Sequence, residues 1–382
     1  MKALLKFELY KIFSQKSVLI VFALILLVLS TLTLYSTFSS SFYYGKQEMI
    51  SAYKQVEGKL SKEKYERQEQ EFESRTKKSS SKEDLAYGSA LIETMSEYED
   101  IEYYDNLISR IEQDLTIATG FNYESLLLQK LMLEQIDLNE TYFHKGPEKM
   151  MDYVSAFGYM ITGILILIGL SSIFSNEDVT GMDQLILSSK NGRNKLVSAK
   201  IITAVFFVIS IIGVQLLYNW GIYSFLYGND GWLVPLQKSS SFMLSPYSLN
   251  LFEYFSIQMI LHTLFSIGFA IFVLLISNLC KNNYHSIIIS SVVFVAPMML
   301  SFFNLIQMSN VVQVAKFIQI DTIIQYSYTY LMKVDVLFNR FKVFNFFESP
   351  VLGSIAIPTV FVLTTLFFTW LLYRTYERKE VI

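Results

Sequence analysis

Residues Ile201 to Tyr227 read IITAVFFVISIIGVQLLYNWGIYSFLY, 27 positions without an Asp, Glu, Lys or Arg. An α-helix rises about 1.5 Å per residue, so this run exceeds the roughly 20 residues needed to cross a hydrocarbon layer about 30 Å thick. Outward from it lie five more chargeless runs: Val18 to Phe38, Val154 to Phe174, Tyr254 to Leu279, Ile287 to Met308 and Val351 to Tyr373. Six such runs predict an all-α polytopic membrane protein, because a helix satisfies its own backbone donors and acceptors where no water can.

Composition agrees with one membrane domain and one polar insert. The chain of 382 residues is 52% hydrophobic and 17% charged, and the charges cluster between Ser39 and Asp152. That segment holds 14 Lys and Arg against 23 Asp and Glu, a net charge of −9, which leaves the remainder at +6. The expected organisation is an N-terminal helix and first span over 1–38, a helical insert over 39–152, and spans two to six over 153–382. The single Cys280 excludes an intrachain disulfide, and three scattered histidines give no metal-ligand spacing. The first run is too long for the apolar core of a signal peptide, and Thr37 to Ser41 lacks an A-x-A pattern, so an uncleaved first span is expected.

Orientation follows from Lys and Arg in short loops, long translocated domains being left out of the count. One side holds Lys2, Lys6, Lys11, Lys16, Lys190, Arg193, Lys195, Lys200, Lys281, Arg374, Arg378 and Lys379; the other holds Lys238, Lys316, Lys333, Arg340 and Lys342. Both termini are therefore expected in the cytoplasm, with the insert and Ser309 to Pro350 outside. Tyr218, Trp220, Tyr223 and Tyr227, and at the other end Trp370, Tyr373 and Tyr376, suit interfacial aromatic belts.

Within the insert, Tyr53, Val56, Leu60 and Phe72 form a thin apolar seam through a polar stretch from Lys46 to Lys78, which predicts a solvated helix. The tract Lys77 to Lys82 breaks it. Ile101, Tyr104, Ile108, Ile111 and Leu115 then repeat at spacings of three and four, so the two segments are expected to form an antiparallel hairpin standing off the membrane. Gly120 is expected to end the second helix, and Leu126 to Ile136 to form a shorter third one. Such an insert serves either as a receptor surface or as a solvated spacer.

Catalytic signatures are missing. No G-x-x-x-x-G-K-[ST], H-E-x-x-H, G-x-S-x-G or G-x-G-x-x-G occurs, so a nucleotide-cradling or hydrolytic role for this chain is not expected. The spans also lack the carboxylates that mark ion paths in ion-coupled transporters. Their polar side chains are Gln215 and Asn219, Gln258 and His262 with Ser266, and Asn304 with Gln307. The i, i+4 spacing puts each of the first two pairs on one helix face, where a proton relay through His262 competes with interhelical hydrogen bonding. Pro297 and Pro358 fall inside spans five and six, where proline bends a helix.

The connection between spans two and three carries the most specific pattern, Phe174-Ser175-Asn176-Glu177-Asp178-Val179-Thr180-Gly181-Met182-Asp183-Gln184-Leu185-Ile186-Leu187-Ser188-Ser189. Ser175 and Asp178 have capping-box spacing, and Val179, Met182 and Ile186 share a helix face, predicting a short amphipathic helix before the Asn191-Gly192 turn. A short apolar-faced helix at the water boundary should rest on lipid headgroups or fill a groove in a partner.

In this loop the chain resembles bacterial ABC transporter permeases of type 2, an exporter class in which an acidic residue, a glycine, a Leu-Leu-Ser-like stretch, a basic residue and a lysine follow in order. Glu177, Gly181, Leu185, Leu187, Ser188, Ser189, Arg193 and Lys200 match that order. The resemblance extends to six spans, to internal termini and to a basic helical N-terminus like the family's elbow helix, in which Glu8, Lys11 and Gln15 share a face. It implies a permease subunit of a multi-pass bacterial plasma-membrane exporter, forming a translocation path as a homo- or heterodimer. It also implies a separate ATPase subunit, in two copies, which binds the ATP, this chain holding no cofactor of its own. The coupling residues it assigns are Glu177, Asp178, Val179, Gly181, Met182, Leu185 and Ile186. Other expected contacts are membrane lipids, with no nucleic acid. Peptide antibiotics, lipids and other amphipathic molecules suit the apolar walls as substrates. The competing reading from another class is a membrane-anchored sensor or scaffold whose outer hairpin binds a ligand; a stand-alone secondary transporter is disfavoured by the chargeless spans and the lack of an inverted repeat.

Overall fold

The computed structural model describes residues 2–40, 43–64, 66–67, 70, 81–182, 184, 194–309 and 324–379, the side chains of 301–309 excepted. Among the described residues six helices are long and apolar enough to cross a membrane, and the protein is mostly α-helical. A short helix α1 (Lys2–Phe13) precedes α2 (Lys16–Ser39), the first span. The second span is composite. It begins with α6 (Lys145–Tyr153), passes a π-helical turn at Val154–Gly158, continues as α7 (Tyr159–Leu170) and ends in the short α8 (Ser175–Thr180). Spans three to six are α9 (Asn194–Leu226), α10 (Leu251–Leu279), α11 (Asn283–Ser309) and α13 (Gly353–Glu377), with a single turn α12 (Tyr328–Leu331) between the last two.

Each apolar run finds its helix, with several changes of boundary; span three begins at Asn194, seven residues before Ile201. Span two starts nine residues before Val154, because Lys149 pairs with Asp152 and Lys145 with Glu148 at i, i+3, so the helix carries its own charge compensation. Span six starts later than Val351: Val351 and Leu352 belong to a strand, β4 (Ser349–Leu352), paired antiparallel with β3 (Val343–Phe346).

Span four is the hub, packing against spans two, three, five and six. Phenylalanine rings fill notches left by glycine: Phe294 against Gly163, Phe207 against Gly169, and Phe361 against Gly268. Small residues at these crossings let helices approach closely, which is how packing rather than hydrophobicity holds helices together in lipid. Burial is uneven. Within the apolar windows, 72% of span two and 56% of span four are buried, against 11% of span one and 17% of span six, so the first and last spans lie at the periphery of the chain.

Among the described residues the insert's helices pair along other seams than the expected hairpin. Helix α3 (Lys46–Val56) stops at Val56, and β1 (Gly58–Lys59) pairs with β2 (Glu140–Thr141), which draws Leu60 into an extended segment hydrogen-bonded to Asn139. Met49, Ala52, Tyr53 and Val56 pack on Ala86, Tyr87, Ala90 and Leu91 of α4 (Lys82–Leu115), not on the Ile101 to Leu115 seam. That seam instead meets α5 (Phe121–Leu133), with Tyr104 and Ile111 against Leu133 and Leu138. Helix α4 ends at Leu115 rather than at Gly120, which precedes α5. Phe72 and most of the Lys77 to Lys82 tract lie outside the described residues. The insert does not stand off either: the Tyr104 hydroxyl donates to Met243 O at 2.7 Å, and the Ser248 hydroxyl to Gln135 O at 3.0 Å, fixing it on the connection between spans three and four.

Candidate functional site

At the end of the bundle where both termini meet, the loop that carries the family-like motif is held by buried charge. Lys200, at the start of α9, is fully buried. Its ammonium donates to Glu177 Oε1 at 2.6 Å, Ile173 O at 3.3 Å and Glu8 Oε2 at 3.4 Å, one acceptor for each of its three hydrogens, and lies 4.9 Å from the Phe174 ring centroid. Lys11 adds a second cation on Glu177 at 2.8 Å. Two lysines and two glutamates thus cancel in formal charge, as a buried cluster must if each ion is not to be left uncompensated.

Glu8 and Lys11, which share one face of α1, are turned toward Lys200 and Glu177. Asp178 is held separately, by Lys379 beyond the end of α13 at 2.8 and 3.0 Å. Uncharged contacts complete the clamp. The Ser277 hydroxyl on α10 accepts from the backbone N–H of Phe174 at 3.0 Å, and the Ser175 hydroxyl donates to Asn283 Oδ1 on α11 at 2.7 Å. Phe174 also packs on Tyr376, which is buried there and does not belong to an interfacial belt. Helix α8 is therefore joined to α1 and to spans three, four, five and six.

These contacts correct the capping-box reading. Ser175 opens α8 without a side-chain cap, since its hydroxyl goes to Ser171 O and Asn283, and the Asp178 carboxylate goes to Lys379. The predicted amphipathic helix is interrupted: α8 ends at Thr180, Gly181 adopts φ +67°, a left-handed cap that costs glycine little, and Met182 and Gln184 are helical again beyond it, the rest of the expected helix lying outside the described residues. Among the assigned coupling residues, Glu177 and Asp178 face the bundle, whereas Val179 (58% exposed) and Met182 (49%) face away from it. Leu185 and Ile186, with Leu187, Ser188, Ser189 and Arg193 of the motif, lie outside the described residues.

A second polar set lies within the bundle. Gln215 Nε2 donates to Thr162 Oγ1 at 2.9 Å; Thr162 lies 3.3 Å from His262 Nε2, and His262 Nδ1 lies 2.7 Å from Met332 O. Assigned by donor and acceptor capacity, the Thr162 hydroxyl donates to Nε2 and Nδ1–H donates to Met332, a one-way chain that fits neutral imidazole. Asn219 donates to Met150 O at 2.9 Å, and Gln258 to Met151 O at 3.2 Å and Ser155 Oγ at 3.1 Å. All four predicted residues converge on span two around its π-helical turn. Tyr153, Gln215, Asn219 and His262 line a cavity of about 10 Å³ there, the scale of one water. The side chains of Asn304 and Gln307 are outside the described set.

Sequence reasoning missed the roles of Lys200, Glu8, Thr162 and Lys379. Lys200 counted as a topogenic surface cation, and the only signal of its burial was its place in the motif after Glu177. A further cluster, Glu93, His144 and Glu148, brings its ligand atoms within 4.8 Å of one another at the insert end. The Lys145 ammonium already bridges both carboxylates, at 2.5 and 3.4 Å, and the His144 nitrogens face Tyr142 O and Lys238 O, so the position of a cation is taken by lysine.

In comparisons with known proteins, no family model matches this chain and no curated protein does.

Proposed function

We propose that this multi-pass membrane protein is the permease subunit of an ATP-driven exporter in a bacterial plasma membrane, with both termini cytoplasmic and the insert outside. Two permease subunits enclose the path, and a separate ATPase docks beneath them on the loop after span two. The observation that carries the reading is the two-sided nature of α8. Its carboxylates are bolted to α1, to span three and to the end of span six, while Val179 and Met182 present apolar surface away from the bundle. A push on that outer side moves a helix rigidly tied to five others, which is what relaying a partner's nucleotide-driven motion requires. The neutral, internally satisfied Gln215–Thr162–His262 chain supports the same reading, since the polar groups that meet there are uncharged and offer no ionised site to couple an ion gradient.

The test replaces Val179 and Met182 together by Asp and purifies the protein from native membranes in mild detergent. Wild-type material should retain an ATP-hydrolysing partner and the double variant should lose it, while Leu233→Asp at the opposite end keeps it. Equal ATP hydrolysis in the Val179/Met182 variant, or none with wild type, would overturn the proposal.

A further inference from the structure

Between the insert and the outer mouth of spans three and four lies an open cleft of about 570 Å³, within the range of small-molecule sites. Its walls are Ile50 on α3, Tyr142 and Phe143 after β2, and Trp232 to Val234 in the connection after span three. The floor is fixed. Gly231 (φ +90°) sits so close to Phe143 O and the His144 backbone that a Cβ would overlap them. Trp232 is braced from below by Trp220, Phe252 and Phe255 at the span ends, with ring centroids 5.4 to 6.2 Å away. Leu233 is 81% exposed beside it.

Three charges line the same cleft, Lys54, Glu57 and Asp230, all exposed; among the described residues none of their side chains is in an ion pair, and the Lys64 ammonium beside Glu57 donates to its backbone carbonyl at 2.7 Å. The three sum to −1, and the insert to which Lys54 and Glu57 belong carries a net −9 over Ser39 to Asp152. Aromatic faces and carboxylates together attract a cation, the first through ring quadrupoles and the second by direct charge, and the wider acidic field raises its local concentration. The apolar wall beside the mouths of two spans suits a hydrocarbon body. We infer that this cleft binds a small cationic amphiphile, with its head between Glu57 and Asp230 and its apolar body on Trp232, Leu233 and Ile50. The inference does not depend on the exporter reading.

The experiment uses the full chain in nanodiscs of zwitterionic lipid and needs no ATPase. Tetraphenylphosphonium is titrated while tryptophan fluorescence is followed, with empty nanodiscs subtracted, and tetraphenylborate serves as a probe of the same shape and opposite charge. The phosphonium should show saturable binding, weakened about tenfold or more by Glu57→Gln with Asp230→Asn. Lys54→Gln should tighten it several-fold, a gain that misfolding cannot imitate. The borate should show no saturable excess. Absence of saturable phosphonium binding, indifference of that binding to both sets of variants, or equal saturable binding of the borate would each overturn the assignment.

Discussion

Two buried lysines, one at each end of the bundle, are held in different ways. Lys200 meets three acceptors and a ring face, and its glutamates come from α1 and from α8, 192 and 23 positions away. Lys238, in the connection after span three, meets Glu97 of α4 at 2.8 Å with both side chains under 5% exposed, yet neither group is aligned for a hydrogen bond. The first is a many-partnered joint; the second is a Coulombic contact alone. Desolvation of two ions is repaid in a protein interior only when geometry and hydrogen bonds are both good, so the joint beneath α8 is the stiffer of the two.

The largest expected effect is at Lys200. Lys200→Met leaves Glu8 and Glu177 buried with only Lys11, which pairs with Glu177, and should destabilise the protein by about 3–5 kcal/mol, the range for breaking a buried pair from one side. A loss of monodisperse protein, or a large fall in melting temperature in detergent, checks this; a variant that melts with wild type would erase the contrast. Next comes pair replacement. Lys238→Met with Glu97→Leu removes both ions of an unaligned contact and should be neutral or stabilising by about 1–4 kcal/mol. Lys200→Met with Glu177→Leu still strands Glu8 and should remain destabilised. If the two double variants behave alike in thermal melts, the ends are equivalent after all.

The smallest effect concerns pH. Asp100, near the Lys238 contact, has its carboxyl raised by desolvation above the ordinary value, Lys238 opposing the rise and Glu97 and Glu99 adding to it. The folded protein then holds this proton to higher pH than the unfolded chain. Its stabilising contribution is present in acid and is lost as pH climbs through the folded value, above about pH 4. Asp100→Asn should flatten that decline in a series of melting temperatures, and parallel curves for variant and wild type would separate Asp100 from the insert-end contact.

The contrast also explains what could be read in the chain beforehand. The spans were legible because chargeless length is a local property, and the interhelical use of Gln215, Asn219, Gln258 and His262 followed from the cost of unpaired polar groups in lipid. Their partners were not legible, since three of them are the backbone carbonyls of Met150, Met151 and Met332, which carry no side-chain signature. The charged start of span two hid behind Glu148, Lys149 and Asp152, whose local pairing cancels what hydropathy penalises. The capping box at Ser175 and Asp178 failed for the opposite reason: both side chains found partners more than a hundred positions away, which outweighed the local option. The insert's hairpin failed because Gly58 and Thr141 pair as strands, ending α3 where its seam appeared to continue.

The π-helical turn at Val154–Gly158 adds a phase shift to the wall of the bundle. Each residue of an α-helix advances the winding by roughly 100°, so the surplus position in a π turn offsets everything before it by about that angle relative to everything after. Met150, Met151 and Ser155 thereby take up azimuths that an uninterrupted screw could not reach while Ile161 and Leu165 kept theirs. Span two is thus two rods set at different phases against the same two neighbours, spans three and four, and shortening it by one position would turn one rod out of register with them.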